Sequence, residues 1–100
     1  MLLYNVTVII EESSANEWLQ WMNETHIPAV MGTDKFVSHR LLKVLDSPNE
    51  GITFCVQYVA ETQAEYDDYK TNFAPALQAE LQSKFENKFV VFRTLMEFLG

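Results

Sequence analysis

The order of hydrophobic periodicities narrows the folds open to this chain more than any other feature. Residues 2–10 alternate, with Leu2, Tyr4, Val6, Val8 and Ile10 forming a uniformly apolar set and Leu3, Asn5, Thr7 and Ile9 a mixed one. That is the pattern of a strand with one face on a core. Residues 52–60 repeat it, with Ile52, Phe54, Val56 and Tyr58 set against Thr53, Cys55, Gln57 and Val59. Residues 35–45 and 88–99 read as two further strands, although in 35–45 the alternation does not single out a face. Two stretches switch to helical spacing. Trp18, Leu19, Trp21, Met22, Thr25, His26 and Ala29 fall on one half of a helix, with Glu17, Gln20, Asn23 and Glu24 on the other. Tyr66, Tyr69, Phe73, Leu77 and Leu81 make a second apolar stripe.

Local signals place the ends. Ser14 with Glu17, and Thr62 with Glu65, have the spacing of a capping box, in which each side chain satisfies a backbone N–H in the other's turn. Pro28 lacks an N–H and crowds the carbonyl of Glu24, so the first helix should kink or stop near His26, with Gly32 ending whatever follows. Pro75 should kink the second helix in the same way. Asp46, Ser47, Pro48, Asn49, Glu50 and Gly51 have the composition of a hairpin loop joining the second and third strands.

Strand, helix, strand, strand, helix, strand, joined by right-handed crossovers, puts both helices on one face of a four-stranded antiparallel sheet. This is the α+β, ferredoxin-like βαββαβ arrangement, and at 100 residues it predicts one domain spanning 1–100. The sheet's other face is left uncovered. With the last strand split into Val90, Phe92, Thr94, Met96 and Phe98 against Val91, Arg93, Leu95, Glu97 and Leu99, the second set is assigned to the open face. It joins Leu3, Asn5, Thr7, Ile9, Thr53, Cys55, Gln57 and Val59, and also Phe36, Ser38, Arg40 and Leu42 if residues 35–45 follow the same sense. Such a face is too apolar for water and too polar for a core, which marks an interface. The expectation is a homodimer packed sheet against sheet, with Leu95 inside it.

This element order resembles the dimeric α+β barrel superfamily of ferredoxin-like proteins over nearly the whole chain. Within it, Trp18–Leu19–Gln20–Trp21–Met22, His26–Ile27–Pro28 and Phe92–Arg93–Thr94–Leu95–Met96–Glu97 resemble an uncharacterised family of small bacterial proteins. The resemblance implies a fold and a dimer but no activity. Its superfamily includes cofactor-free monooxygenases, isomerases, dehydratases and haem-degrading enzymes, which implies a small-molecule cavity, between helices and sheet or between sheets, without choosing a reaction.

Charge narrows the partners. Fourteen acidic side chains against seven basic ones give a net charge of −7, which repels phosphate backbones and anionic lipid. Nucleic acid and membrane are therefore not expected. The opening MLLYNVTVII lacks a basic n-region and runs into Glu11 and Glu12 rather than a cleavage site, so it reads as a strand. The single cysteine, Cys55, has no internal disulfide partner and suits a reducing cytoplasm. No neighbouring cation in sequence marks it as a nucleophile.

His26 is the candidate catalytic residue, because an imidazole works as a base near neutral pH. Its other reading is structural, a hydrogen-bonding plug for a carbonyl freed beside the Pro28 irregularity. Trp18 and Trp21, one turn apart, suit either an aromatic ligand wall or core packing. Arg93 and Arg40 offer cations for an anionic ligand, or ion pairs with Glu97 or with a second subunit. Gln57, Asn5 and Thr7 add neutral polar contacts. His26 and His39 lie on different elements without Cys or Asp at ligand spacing, so no metal is expected, and no cofactor motif is present. The residues fit a homodimeric structural or small-molecule-binding module, or alternatively a cofactor-independent monooxygenase- or isomerase-like enzyme, and leave open whether there is catalysis.

Overall fold

The computed structural model describes residues 1–48 and 50–100. Strands β1 (Leu2–Ile10), β2 (Ser38–Lys43), β3 (Ile52–Ala60) and β4 (Phe89–Glu97) form one antiparallel sheet in the order β2-β3-β1-β4. This is the ferredoxin-like topology, with β1 and β3 in the centre. Asn49, which the sequence assigns to the β2–β3 loop, lies outside the described residues. Gly51, in the same connection, has φ +84°, and a Cβ there would stand 2.5 Å from the Ile10 carbonyl oxygen, so the turn requires glycine.

Alternation in the central strands builds the core. Tyr4 pairs with Tyr58, Val6 with Val56 and Val8 with Phe54, and such partners share a face. The helices cover that face, leaving Val8, Ile10, Val56 and Tyr58 almost without exposure. Trp18 is completely buried, its ring stacked on Phe54 at 4.8 Å, so the first helix is anchored to the sheet by its largest side chain.

The last strand reverses the face assigned from its sequence. Val6 is opposite Arg93, Val8 opposite Val91 and Tyr4 opposite Leu95. Val91, Arg93, Leu95 and Glu97 therefore face the helical side, and Val90, Phe92, Thr94 and Met96 the open side. Both sets in β4 carry large apolar residues, so composition misassigns them; pairing with β1 decides. Ser38, Arg40 and Leu42 of β2 pair with Val59, Gln57 and Cys55 and do lie on the open side. Phe36 does not. It precedes β2, is buried, and packs edge-on to Tyr69 at 4.7 Å and against Tyr58 at 5.2 Å.

The first helical segment contains a 3₁₀ turn (Glu12–Ser14), α1 (Ala15–Trp21), a π-helical turn (Met22–His26) and α2 (Ile27–Met31). Ser14 already has helical backbone angles and its side chain caps nothing, so the expected Ser14–Glu17 box does not form. Pro28 neither stops nor sharply breaks the helix. The turn before it widens, with the Ile27 N–H bonding to the Met22 carbonyl five residues back. This wide turn makes room for the ring that would crowd Glu24, as an inserted residue in a helix does. Gly32 closes α2, its N–H reaching the Pro28 carbonyl at 2.8 Å.

In the second segment, α3 (Gln63–Asn72) and α4 (Ala74–Lys84) are separated at Phe73, whose φ of −121° leaves the helix. The expected kink is thus a break. Pro75 falls in the first turn of α4, where a missing N–H loses no bond. At the head of α3, Thr62 Oγ1 accepts from the Glu65 N–H at 3.2 Å, as its cap spacing implied. Among the described residues, no helix is long and apolar enough to cross a membrane.

Candidate functional site

Tyr69 and Leu81 bury themselves in the core and seat α3 and α4 over the central strands, but the edge strand is incompletely covered. Arg93, Leu95 and Glu97 face the helical side and yet remain exposed. A cleft of about 480 Å³ lies between this edge and the helices, within the size range of small-molecule sites. Tyr4 and Arg93 contribute from the sheet, Tyr66, Tyr69 and Lys70 from α3, and Gln78 from α4. Deeper in, a slot of about 20 Å³ continues past Tyr4, Gln78 and Arg93 to Met22, His26 and Tyr58.

His26 sits in the wide π turn, its ring stacked on Trp21 at 5.1 Å. Its Nδ1 is buried without a hydrogen-bond partner among the described residues, as is the Tyr58 hydroxyl on the same slot. Burial, and secondarily the positive charge of Arg93, push its pKa down to about 4. The imidazole is neutral at physiological pH.

Arg93 has no ion-pair partner among the described residues; the carboxylates that do pair are held by Lys35 and Lys84. Its charge acts on the site instead. Burial raises the pKa of Tyr4, while Arg93 and Gln78 at its hydroxyl oppose the rise. Burial likewise raises Tyr69 and Tyr66, in the latter with help from Asp67. The phenols stay protonated and can donate hydrogen bonds.

Of the residues singled out in the sequence, the structure brings His26 and Arg93 together. Trp18 is enclosed in the core, with Nε1 lacking a partner among the described residues, and lies outside the cleft lining. Arg40 and Gln57 lie on the opposite face. There Gln57 Nε2 donates to Asn5 Oδ1 at 3.2 Å and Asn5 Nδ2 to Thr7 Oγ1 at 2.9 Å, a polar row among apolar neighbours. Sequence reasoning passed over Tyr66, Lys70 and Gln78 as site residues. The readable signal was Tyr66 and Lys70 one helical turn apart, placing a phenol and an ammonium on one face. Among the described residues, no group of three His, Cys, Asp or Glu converges as a metal site would require.

A family model described as a domain of unknown function (DUF4286) matches residues 1–99. The chain belongs to that family. No curated protein matches it. Solved structures do. A dimeric ferredoxin-like protein from an uncultured marine organism superposes with a TM-score of 0.75 at 12% identity, covering 100% of this chain and 96% of that one. The heme-degrader MhuD of Mycobacterium tuberculosis, with two hemes bound in its active site, gives 0.73 at 14% identity, covering 100% and 97%. SnoaB of Streptomyces nogalater, a cofactor-independent oxygenase, gives 0.69 at 13%, covering 99% and 94%. At these identities the likeness establishes the fold.

Proposed function

We propose that this protein is a homodimeric small-molecule-binding module, its ligand entering the cleft between the broken second helix and β4. The observation that carries the reading is Arg93. It is a cation without a carboxylate partner among the described residues, on the wall of a cleft of about 480 Å³ that also presents phenol and amide donors. The dimer uses the open sheet face, where Leu42, Val90, Phe92 and Met96 are exposed and Arg40 is the charged residue of the strands. A dimeric ferredoxin-like protein and proteins that act on or bind small molecules share the fold, which supports both parts. The acidic net charge favours neither nucleic acid nor membrane as a partner, and one cysteine fits a reducing cytoplasm.

A second reading, a cofactor-independent enzyme, is favoured by His26: a neutral imidazole with an unpartnered buried nitrogen in a slot joined to the cleft. In that reading His26 exchanges a proton with the ligand while Arg93 holds its negative charge. A thermal-shift screen of small molecules tests the binding reading, because a ligand of the native state raises its melting temperature. Hits should lose their effect when Leu95→Trp fills the cleft; hits that survive it contradict the site. With a hit in hand, His26→Gln separates the readings. Turnover of the hit by the wild type that is lost in His26→Gln with binding retained marks an enzyme using His26, and a wild type that binds the hit without converting it marks a binding module.

A further inference from the structure

We propose that the ligand of this cleft is an aromatic monoanion, an arene carboxylate of one or two rings, with its carboxylate on Arg93 and its ring against Tyr66, Pro75 and Leu95. The inference rests on the cleft being the ligand site and adds the chemistry of what enters it.

Charge is the first argument. Acidic residues outnumber basic ones fourteen to seven over the chain, yet the cleft lining contains Arg93 and Lys70 and no carboxylate. The other charged surface grooves follow the bulk composition: one contains Glu11, Glu12 and Glu50 beside Lys88, another Asp34, Glu61 and Glu65 beside Lys35. A cation-lined concavity on an acidic surface concentrates anions where the rest of the molecule repels them. Arg93, which touches the Tyr4 hydroxyl but pairs with no carboxylate among the described residues, can donate two parallel hydrogen bonds to a ligand carboxylate.

The donors and walls choose among anions. Tyr4, Tyr66 and Tyr69 are protonated at neutral pH as phenols ordinarily are, and burial raises their pKa values further, so a hydroxyl that reaches the ligand donates to an anion without repelling it. Tyr66, Pro75 and Leu95 give an apolar wall that a ligand ring can reach, whereas Tyr4, Tyr69 and Ala74 behind it are buried. Tyr66 is itself packed on Tyr4, their ring centroids 5.3 Å apart and tilted at 58°, which holds in place the ring a ligand would meet. Inorganic phosphate would leave this wall wet, whereas a ring attached to the carboxylate covers it.

His26 supplies an internal reporter. Its slot is bordered by Arg93 from β4, Tyr4 from β1, Tyr58 from β3 and Tyr69 from α3, and Arg93 is the charged group acting on it. A carboxylate on Arg93 offsets that charge, so the imidazole should bind a proton more readily in the complex.

The test compares 2-naphthoate with 2-naphthamide on the intact protein by calorimetry and by NMR of the cleft amides and the His26 ring. The proposal expects the carboxylate to bind at least about tenfold tighter than the amide, as a hydrogen-bonded charge pair should. It also expects Arg93→Gln to abolish that preference with helix content unchanged, Arg93→Lys to restore part of it, and the His26 pKa to rise with naphthoate bound. Equal affinity of acid and amide, with cleft resonances moving in both, overturns the anion assignment and leaves the cleft standing. If neither compound moves those resonances at millimolar concentration, the arene-carboxylate assignment fails, and the cleft reading is decided separately by the thermal-shift screen and Leu95→Trp.

Discussion

Replacing Phe92 by Glu puts the face assignment of β4 and the proposed dimer at risk together. Phe92 lies opposite Thr7 on the open side and is 56% exposed in the single chain. A phenylalanine with roughly 200 Å² of surface then offers roughly 110 Å² to a partner. At about 25 cal/mol per Å², that contributes about 3 kcal/mol per protomer. A twofold interface uses the residue twice, giving about 5–6 kcal/mol, or a factor on the order of 10⁴ in the dimer Kd. Burying a carboxylate in its place adds a desolvation cost in the same direction. Size-exclusion chromatography with light scattering should show wild type as a dimer at micromolar concentration and Phe92→Glu as a monomer with an unchanged circular dichroism spectrum. Leu95→Glu, which faces the cleft, should stay dimeric. A monomeric Leu95→Glu beside a dimeric Phe92→Glu would refute the β1–β4 register, and a monomeric wild type would refute the dimer.

His26 is held at about 4 against an ordinary 6.5, so between those pH values the unfolded chain binds more protons than the native one. Its contribution is complete above pH 6.5 and is lost as pH falls toward 4, by about 3 kcal/mol; urea melts across that window should slope steeply in wild type and less in His26→Gln. Trp18→Ala empties the best-buried position against Phe54 and should cost about 3–5 kcal/mol by the same melts, whereas a cost near zero would remove Trp18 from the core. Gly51→Ala drives a methyl toward the Ile10 carbonyl at a left-handed φ and should cost more than about 1 kcal/mol; a neutral outcome would contradict the turn geometry.

What could be read in the chain depended on how strongly each position is constrained. β1 and β3 are central and covered on one face, so their alternation is unambiguous and their apolar set is the core. β4 is an edge strand beyond full helix cover, so both of its faces stay half-wet and both carry large side chains. Sequence alternation therefore assigns Arg93 and Glu97 to the open face, whereas the pairing of Arg93 with Val6 puts them on the helical side, at its uncovered edge. The prolines show a similar limit. Pro28 and Pro75 were legible as disturbances, but a proline does not say whether the chain answers with a wider turn, as at Met22–His26, or with a break, as at Phe73. The cleft lies beside that break, with Tyr69 and Lys70 before it and Ala74 and Pro75 after it in the lining. His26 and Arg93 were readable as chemistry, while their meeting, and that of Tyr4, Tyr66, Lys70 and Gln78, depends on the register between strands far apart in sequence.

The central claim is that ligands enter on the helical side of the sheet. Amide chemical-shift mapping with any compound that raises the melting temperature tests it most directly. The structure predicts perturbations at Tyr66, Gln78, Arg93 and Leu95, around the cleft. Perturbations confined to Asn5, Gln57 and Phe92, on the open face, would contradict it.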